Sequence, residues 1–238
     1  MKIAIIGYGK MGHEIEKVAI ERGHEVVCTI DVFEEMKFDS PEFKSADVAI
    51  EFTSPKSALS NYKKAFAANI PVVSGTTGWT EHMAEMKRIC EHNDHTFFYS
   101  SNFSLGVNIF FAVNRYLAKI MNNYPEFDVR MEETHHIHKL DAPSGTALTI
   151  ADDIIKNVDR KVRWSLDHVK MENELEIKSF REGEVPGIHT VIYESDADAI
   201  RITHDAKSRR GFALGAVLAA EFTKGKKGCL GMKDMLPF

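Results

Sequence analysis

Sixteen residues from Glu132 to Ala147, EETHHIHKLDAPSGTA, gather many of the side chains able to carry a proton or hold an anion. His135, His136, His138 and Lys139 supply up to four cationic donors or proton carriers, and histidine's ordinary pKa of about 6.5 puts it within reach of neutral pH. Ser144, Gly145 and Thr146 lead into the helical-looking run ALTIADDII, and Pro143 fits a first turn, where a missing N–H is no loss. The N–H groups of Gly145 and Thr146 are then available at a helix N-terminus, which favours anions. The chemistry indicated is a site for a small carboxylate that must also receive a proton. Two blander readings use the same residues: solvated histidines beside an ordinary helix start, or a metal pair at His136 and His138. No CxxC or HExxH pattern accompanies that pair, and Cys28, Cys90 and Cys229 stand alone, so no metal is expected.

These residues need a frame. FDVRMEETH alternates as a strand, with Phe127, Val129 and Met131 on one face. The same period of two carries Glu133 and His135 onto that face and turns Thr134 and His136 away, so the two adjacent histidines do different jobs. Upstream, SLGVNIFFAVNRYLAKIMNNY reads as a long amphipathic helix with Ile109, Val113, Tyr116, Leu117 and Ile120 on one stripe. Downstream, a helix from about Thr146 to Asn157 precedes three strand-like runs, NELEIKSFR, GIHTVIYES and DAIRITHDA. Few helices intervene, which predicts a mixed or antiparallel sheet whose open face suits an oligomer contact or core packing. A last apolar helix, FALGAVLAAEF, is expected to return to the first domain.

The first hundred residues have another rhythm. KIAIIG is a short buried-strand run that enters Gly7-Tyr8-Gly9-Lys10-Met11-Gly12 and then a helix burying Met11, Ile15, Val18 and Ala19. EVVCTI follows as a second strand, closed by Asp31, nineteen residues after Gly12. A lone GxGxxG is weak evidence; between strand and helix, answered by an acid at this spacing, it reads as a dinucleotide fingerprint. Gly7 and Gly9 allow a tight turn and close approach to a pyrophosphate, Gly12 allows close helix–strand packing, and Asp31 accepts from ribose hydroxyls. No arginine follows Asp31, so NADH is expected to bind at least as well as NADPH. Strands DVAIEF, IPVVS and TFFYS alternate with helices, the second crossover being abbreviated, and this predicts a doubly wound parallel sheet. The turns Phe52-Thr53, Gly75-Thr76-Thr77 and Ser100-Ser101-Asn102-Phe103 sit at the carboxyl ends of those strands, where such sheets bind ligands.

The fold class is therefore α/β, a Rossmann-like doubly wound parallel sheet plus a second α+β domain with a mixed or antiparallel sheet. The boundaries expected are residues 1–103, completed by 210–238, for the dinucleotide domain, and 104–209 for substrate binding and oligomerisation. Hydrophobic residues make up 44% and charged residues 27% of 238, with a net charge of −5, which argues against nucleic acid as the main partner. No signal peptide or membrane-spanning run is read, and three scattered cysteines fit a reducing cytoplasm.

The string THHIHKLDAPSGTAL closely resembles the signature of the dihydrodipicolinate reductases, also called 4-hydroxy-tetrahydrodipicolinate reductases, of the diaminopimelate–lysine pathway. GYGKMG, GTTGW, SSNFSLGVN, GIHTV and SRRGFALGA fall in that family's order, so the resemblance spans essentially the whole chain. It implies that His135 is the acid–base histidine and Lys139 the proton-donating lysine. It also implies that His136, Ser144, Gly145 and Thr146 hold substrate carboxylates, and that the GTTG and SSNF turns border a nicotinamide. The implied reaction removes water from a cyclic dicarboxylate and adds hydride from NAD(P)H at ring C4, with His135 or Lys139 supplying a proton. A cytoplasmic homotetramer is implied as well. The glycine loop is one residue shorter than the longer GxxGxMG form, and Glu51 stands where an aspartate is common, so cofactor preference transfers less well. A related imine or amino-acid dehydrogenase, or a non-catalytic NAD sensor, would share the fingerprint; the first lacks need of paired carboxylate anchors and the second would show no turnover.

Overall fold

The computed structural model describes residues 1–236, which fall into two compact units, Met1–Leu105 with the described residues from Arg209 on, and Gly106–Ser208. In the first, β1 (Lys2–Ile6) runs into α1 (Lys10–Glu21), followed by β2 (Glu25–Ile30), a 3-10 turn at Glu35–Asp39 and the short α2 (Pro41–Lys44). The trimmed second crossover expected from the sequence is these two short pieces. Then come β3 (Val48–Glu51), α3 (Pro55–Ala67), β4 (Val72–Ser74), α4 (Met83–Asn93) and β5 (Thr96–Tyr99). The second unit contains nearly all of α5 (Leu105–Met121), then β6 (Asp128–His135), α6 (Gly145–Ile155), β7 (Arg163–Leu166), β8 (Glu174–Arg181), β9 (Gly187–Glu194) and β10 (Ala199–Ala206). The chain returns to the first unit through α7 (Arg210–Phe222), β11 (Gly228–Leu230) and α8 (Met232–Met235). Sequence pattern missed β7 and β11, edge strands of four and three residues with little apolar signal of their own.

The first sheet has the order β11-β5-β4-β3-β1-β2, parallel throughout, and β1, β3 and β4 are buried on both faces because crossover helices cover them. One face packs Phe43, Tyr62, Phe66, Trp79, Met86 and Phe97; the other packs Ile15, Val18 and Ala19 of α1 with Ala213, Ala216, Val217 and Ala220 of α7. Small residues let α7 lie close: a Cβ on Gly215 would stand 1.7 Å from the Phe103 carbonyl oxygen. The chain order reverses at β1, between β2 and β3, which opens the crevice for a ligand beyond the strand ends.

The second sheet has the order β10-β9-β6-β8-β7 and is mixed, with β6–β8 and β7–β8 parallel and β9 antiparallel to both neighbours. Its core joins Val129, Met131, Leu175, Ile177, Val191 and Tyr193 to α6 through Ala147, Ile150, Ala151 and Ile154. One expected stripe divides here. The buried residues of α5 are Val107, Phe110, Asn114, Ala118 and Met121; of the expected stripe Leu117 packs against the core, whereas Ile109, Val113, Tyr116 and Ile120 are exposed in the single chain. Apolar residues occur on two sides of this helix, and the partners in the fold choose which side is buried.

Candidate functional site

Strand parity holds in β6: Val129, Met131, Glu133 and His135 are buried, and Arg130, Glu132 and Thr134 are half-buried on the opposite face. A carboxylate at an inward position of an apolar strand must find donors. Glu133 finds them from three other segments. Its Oε1 accepts from the Ser144 N–H (3.0 Å) and the Ser179 hydroxyl (2.8 Å), and its Oε2 lies 3.5 Å from His189 Nε2 and 3.6 Å from His135 Nδ1. Burial alone would raise the carboxyl, but His189, Ser144 and Ser179 together outweigh it and bring it down to about 2. Burial first, then the neighbouring His189, drives the His135 imidazole down to about 4 despite the pull of Glu133, so His135 is neutral near pH 7. Glu133, His135 and His189 are the grouping of metal-ligating types among the described residues, with ligand atoms within 4.8 Å of one another; His136 and His138 form no such group. The Glu133 oxygens in that grouping already serve Ser144 and Ser179.

Ser144 is the N-cap of α6, its hydroxyl accepting from the Ala147 N–H at 3.1 Å and lying 3.1 Å from His189 Nε2. Its own N–H goes to Glu133, so both polar groups of Ser144 are used internally and the residue is 3% exposed. Gly145 is exposed and Thr146 half-buried at the first positions of the helix, and a Cβ on Gly145 would meet no protein atom within 4 Å. Pro143 precedes the N-cap, after a cis peptide bond, and does not stand in the first turn as expected. Past the end of β6, His136 is half-buried with Nδ1 unpartnered, and His138 is exposed beside Glu184 at 3.3 Å. Lys139 Nζ donates to both Asp141 oxygens, at 2.7 and 2.9 Å.

In the first unit, Gly7, Gly9, Asp31, Phe52 and Thr53 line one cavity of about 470 Å³, together with Val32, Phe33 and Glu35. Gly7 has φ +91° and a Cβ there would fall 2.0 Å from the Phe52 carbonyl, while a Cβ on Gly12 would fall 2.4 Å from the Gly7 carbonyl. Gly9 differs, since a Cβ there meets nothing within 4 Å, leaving open space above the uncapped N-terminus of α1. That open space beside Lys10 and Met11 fits a pyrophosphate, and the exposed Asp31 carboxylate at the end of β2 fits a ribose. Tyr8 is turned to Glu16, which accepts its hydroxyl.

The neighbouring turns are organised by Glu51, fully buried at the end of β3. It accepts from the Thr53, Ser74 and Thr76 hydroxyls, the last two at 2.7 and 3.0 Å, and Thr76 Oγ1 in turn accepts from the Thr53 N–H at 2.8 Å. Burial raises its pKa, and the hydroxyl donors only partly offset that. Gly75 lies against the Phe52 ring, and the indole of the buried Trp79 donates to the Thr76 carbonyl at 2.7 Å, so this turn is held from below. Thr77 and Ser101 are exposed, and Asn102 is half-buried. Ser100 closes its own turn with Asn102, and Phe103 is a core residue packed on Phe52 and Phe98. The Gly75–Thr77 and Ser100–Phe103 turns are not part of the glycine-loop cavity's lining, and Thr53, which is, joins it to Thr76.

Sequence reasoning did not foresee the work of Glu51, Glu133, Ser179 or His189. A visible signal existed for the two glutamates: each is a carboxylate in the buried register of an otherwise apolar strand.

Residues 1–103 match the family model described as dihydrodipicolinate reductase, N-terminus, and residues 106–236 match its C-terminus. The chain is 49% identical to the 4-hydroxy-tetrahydrodipicolinate reductase of Christiangramia forsetii over 99% of its length and 98% of that protein's. It is 35% identical to the protein of the same name from Archaeoglobus fulgidus, covering 99% of this chain and all of that one. Among solved structures, a dipicolinate-bound dihydrodipicolinate reductase from Paenisporosarcina sp. TG-14 superposes with a TM-score of 0.77 over 98% of both chains at 20% identity, a likeness of fold.

Proposed function

The chain belongs to the dihydrodipicolinate reductase family, and from that premise we propose how its own residues reduce 4-hydroxy-tetrahydrodipicolinate to tetrahydrodipicolinate, with loss of water, using a pyridine nucleotide. The observation that carries the proposal is the buried Glu133. Through it, the end of β6, the N-cap of α6 and strands β8 and β9 are bound into one polar cluster, from which the His135–Lys139 string and the α6 N-terminus both emerge.

The cofactor supplies a hydride to the ring when bound. Gly7, Gly9 and the first residues of α1 hold its pyrophosphate, Asp31 its adenosine ribose, and Thr53, Thr76, Thr77 and the Ser100–Asn102 turn border its nicotinamide. Phe52 forms the apolar wall, while Phe103 supports it from the core. In the second unit, the N–H groups of Gly145 and Thr146 hold one substrate carboxylate and His136 assists with the other; Ser144 acts by capping the helix. Hydride addition leaves electron density that a proton must neutralise. Lys139 gives that proton, because His135, neutral near pH 7, carries none in excess and serves as a hydrogen-bonding partner in the same site.

NADH is favoured over NADPH or equal to it. Asp31 lines the cavity and no lysine or arginine does among its described lining residues, so a 2′-phosphate would face the Asp31 carboxylate, the other acid of the lining, Glu35, being paired with Lys64. A homotetramer is the assembled form, supported by the exposed stripe of α5 and by the face of the second sheet opposite α6; a cytoplasmic location accords with the metabolic role.

The test is turnover. With 4-hydroxy-tetrahydrodipicolinate generated in situ, each cofactor should be oxidised, with kcat/KM for NADH at least equal to that for NADPH. Lys139→Ala should lower kcat by about 10²–10⁴-fold. No turnover with either cofactor would overturn the proposal, and a fully active Lys139→Ala would overturn the role of that lysine.

A further inference from the structure

The loop from His136 to Asp141 has little of its own to hold it. Ile137 is 59% and Leu140 98% exposed, so no apolar side chain pins it, and the His138–Glu184 contact is a surface pair of small worth. A short turn closes within it, the Lys139 N–H donating to the His136 carbonyl at 3.1 Å. Its entry is tied to β8 and to the turn after that strand. His135 pairs with Arg181, the Glu182 N–H donates to the His135 carbonyl at 2.8 Å, and the Ile137 N–H to the Gly183 carbonyl at 3.1 Å. Beyond Ile137 one side chain from outside the loop takes over. Arg181 donates through Nε to the Lys139 carbonyl at 3.2 Å and through Nη2 to the Asp141 carbonyl at 2.7 Å, while Nη1 binds its own strand at the Phe180 carbonyl at 2.8 Å. All three nitrogens of the guanidinium are therefore engaged, one on the sheet and two on the loop.

We infer that Arg181 is a positioning residue for the reduction: it clamps the backbone on both sides of Leu140 and so fixes where the Lys139 ammonium, paired with Asp141, stands. The inference rests on the reading of Lys139 as the proton donor. A planar fork with fixed N–H directions can span two carbonyls and a strand at once, which a single ammonium on a flexible stem cannot. Charge-assisted donation makes these bonds stronger than neutral ones. A proton donor displaced by about 1 Å can lose about 10²-fold in rate, so the loop's precision bears directly on kcat. Arg181 stands at the exposed end of β8, outside the packed core of the second unit, so its removal should leave the fold in place.

The experiment compares Arg181→Ala, Arg181→Lys and Lys139→Ala with the wild type in kcat, KM for both substrates, thermal midpoint and solvent isotope effect. For Arg181→Ala we expect kcat to fall about 30- to 100-fold. Cofactor KM should stay within about twofold, the melting temperature within a few degrees, and the solvent isotope effect should rise as proton delivery becomes limiting. Arg181→Lys should recover little of the loss, and millimolar guanidinium should restore part of the activity of Arg181→Ala but none to Lys139→Ala. The inference is overturned if Arg181→Ala keeps kcat within about threefold, if Arg181→Lys is fully active, or if the loss merely tracks a collapse in thermal stability. Lys139→Ala separates the two ideas: an active Lys139→Ala defeats the donor assignment, whereas an inactive one beside an active Arg181→Ala defeats only the clamp.

Discussion

Two buried glutamates, Glu51 at the end of β3 and Glu133 near the end of β6, organise the polar residues of their units and hold protons in opposite ways. Both are almost without solvent contact. Glu51 is met by the hydroxyls of Thr53, Ser74 and Thr76, neutral groups that can rotate to give or accept, and burial keeps its pKa above the ordinary range. Glu133 is met by a backbone N–H, a hydroxyl and the imidazole of His189, and these donors override burial. The difference follows the partners of each region. Around Glu51 rotatable hydroxyls tie the ends of β3 and β4 and their turns together. Around Glu133 a charged carboxylate ties the cap of α6 to β8 and β9.

Four measurements would sharpen or break this contrast. The largest effect concerns which unit carries the chemistry. Lys139→Ala should lower kcat by about 10²–10⁴-fold yet leave NADH affinity, followed by fluorescence titration, within about twofold. A parallel loss of cofactor binding would dissolve the division of labour.

Glu133→Gln comes next, at about 3 kcal/mol of stability near pH 7, from a carboxyl held at about 2 against an ordinary 4.5. The sign follows from the depressed folded value. The wild type has this stability in full above the ordinary carboxylate pKa and loses it as pH falls toward the folded one. Urea melts of the two proteins should therefore converge between about pH 4.5 and pH 2.

Asp31→Ala should weaken NADH about tenfold, roughly 1.4 kcal/mol, and NADPH much less, moving the kcat/KM ratio toward NADPH. Equal weakening of both cofactors would remove Asp31 from the ribose. The smallest effect is expected for Glu51→Gln, about 1 kcal/mol or less near pH 7, because its three hydroxyl partners can reorient. Its pH dependence should run the other way. A raised folded pKa means the wild type gains stability relative to the variant as pH is lowered from neutrality, and the same urea series would detect a slope of the wrong sign.

Much of this was readable from residue order. The period of two along FDVRMEETH placed Glu133 and His135 inward with Val129 and Met131, because a strand leaves a side chain no other choice once its neighbours are buried. The glycine loop was equally legible: a positive φ at Gly7 and the close approach of Gly12 are backbone demands that only glycine meets easily. Less legible was α5, where apolar residues on two sides left the buried stripe undecided until the sheet beneath was known. Ser144 reads as an anion donor beside Gly145 and Thr146, yet Glu133 takes its N–H.

Local pattern thus determined the alternation of elements, the dinucleotide loop, the helix start at the SGT turn and the family to which the chain belongs. Only the tertiary structure decided proton affinities and loop position. Those depend on partners far away in the chain: Ser179 and His189 for Glu133, Ser74 and Thr76 for Glu51, Arg181 for the loop of Lys139. A carboxylate's pKa is set by which dipoles reach it within a few ångströms, and sequence spacing carries no such distance until the chain has folded.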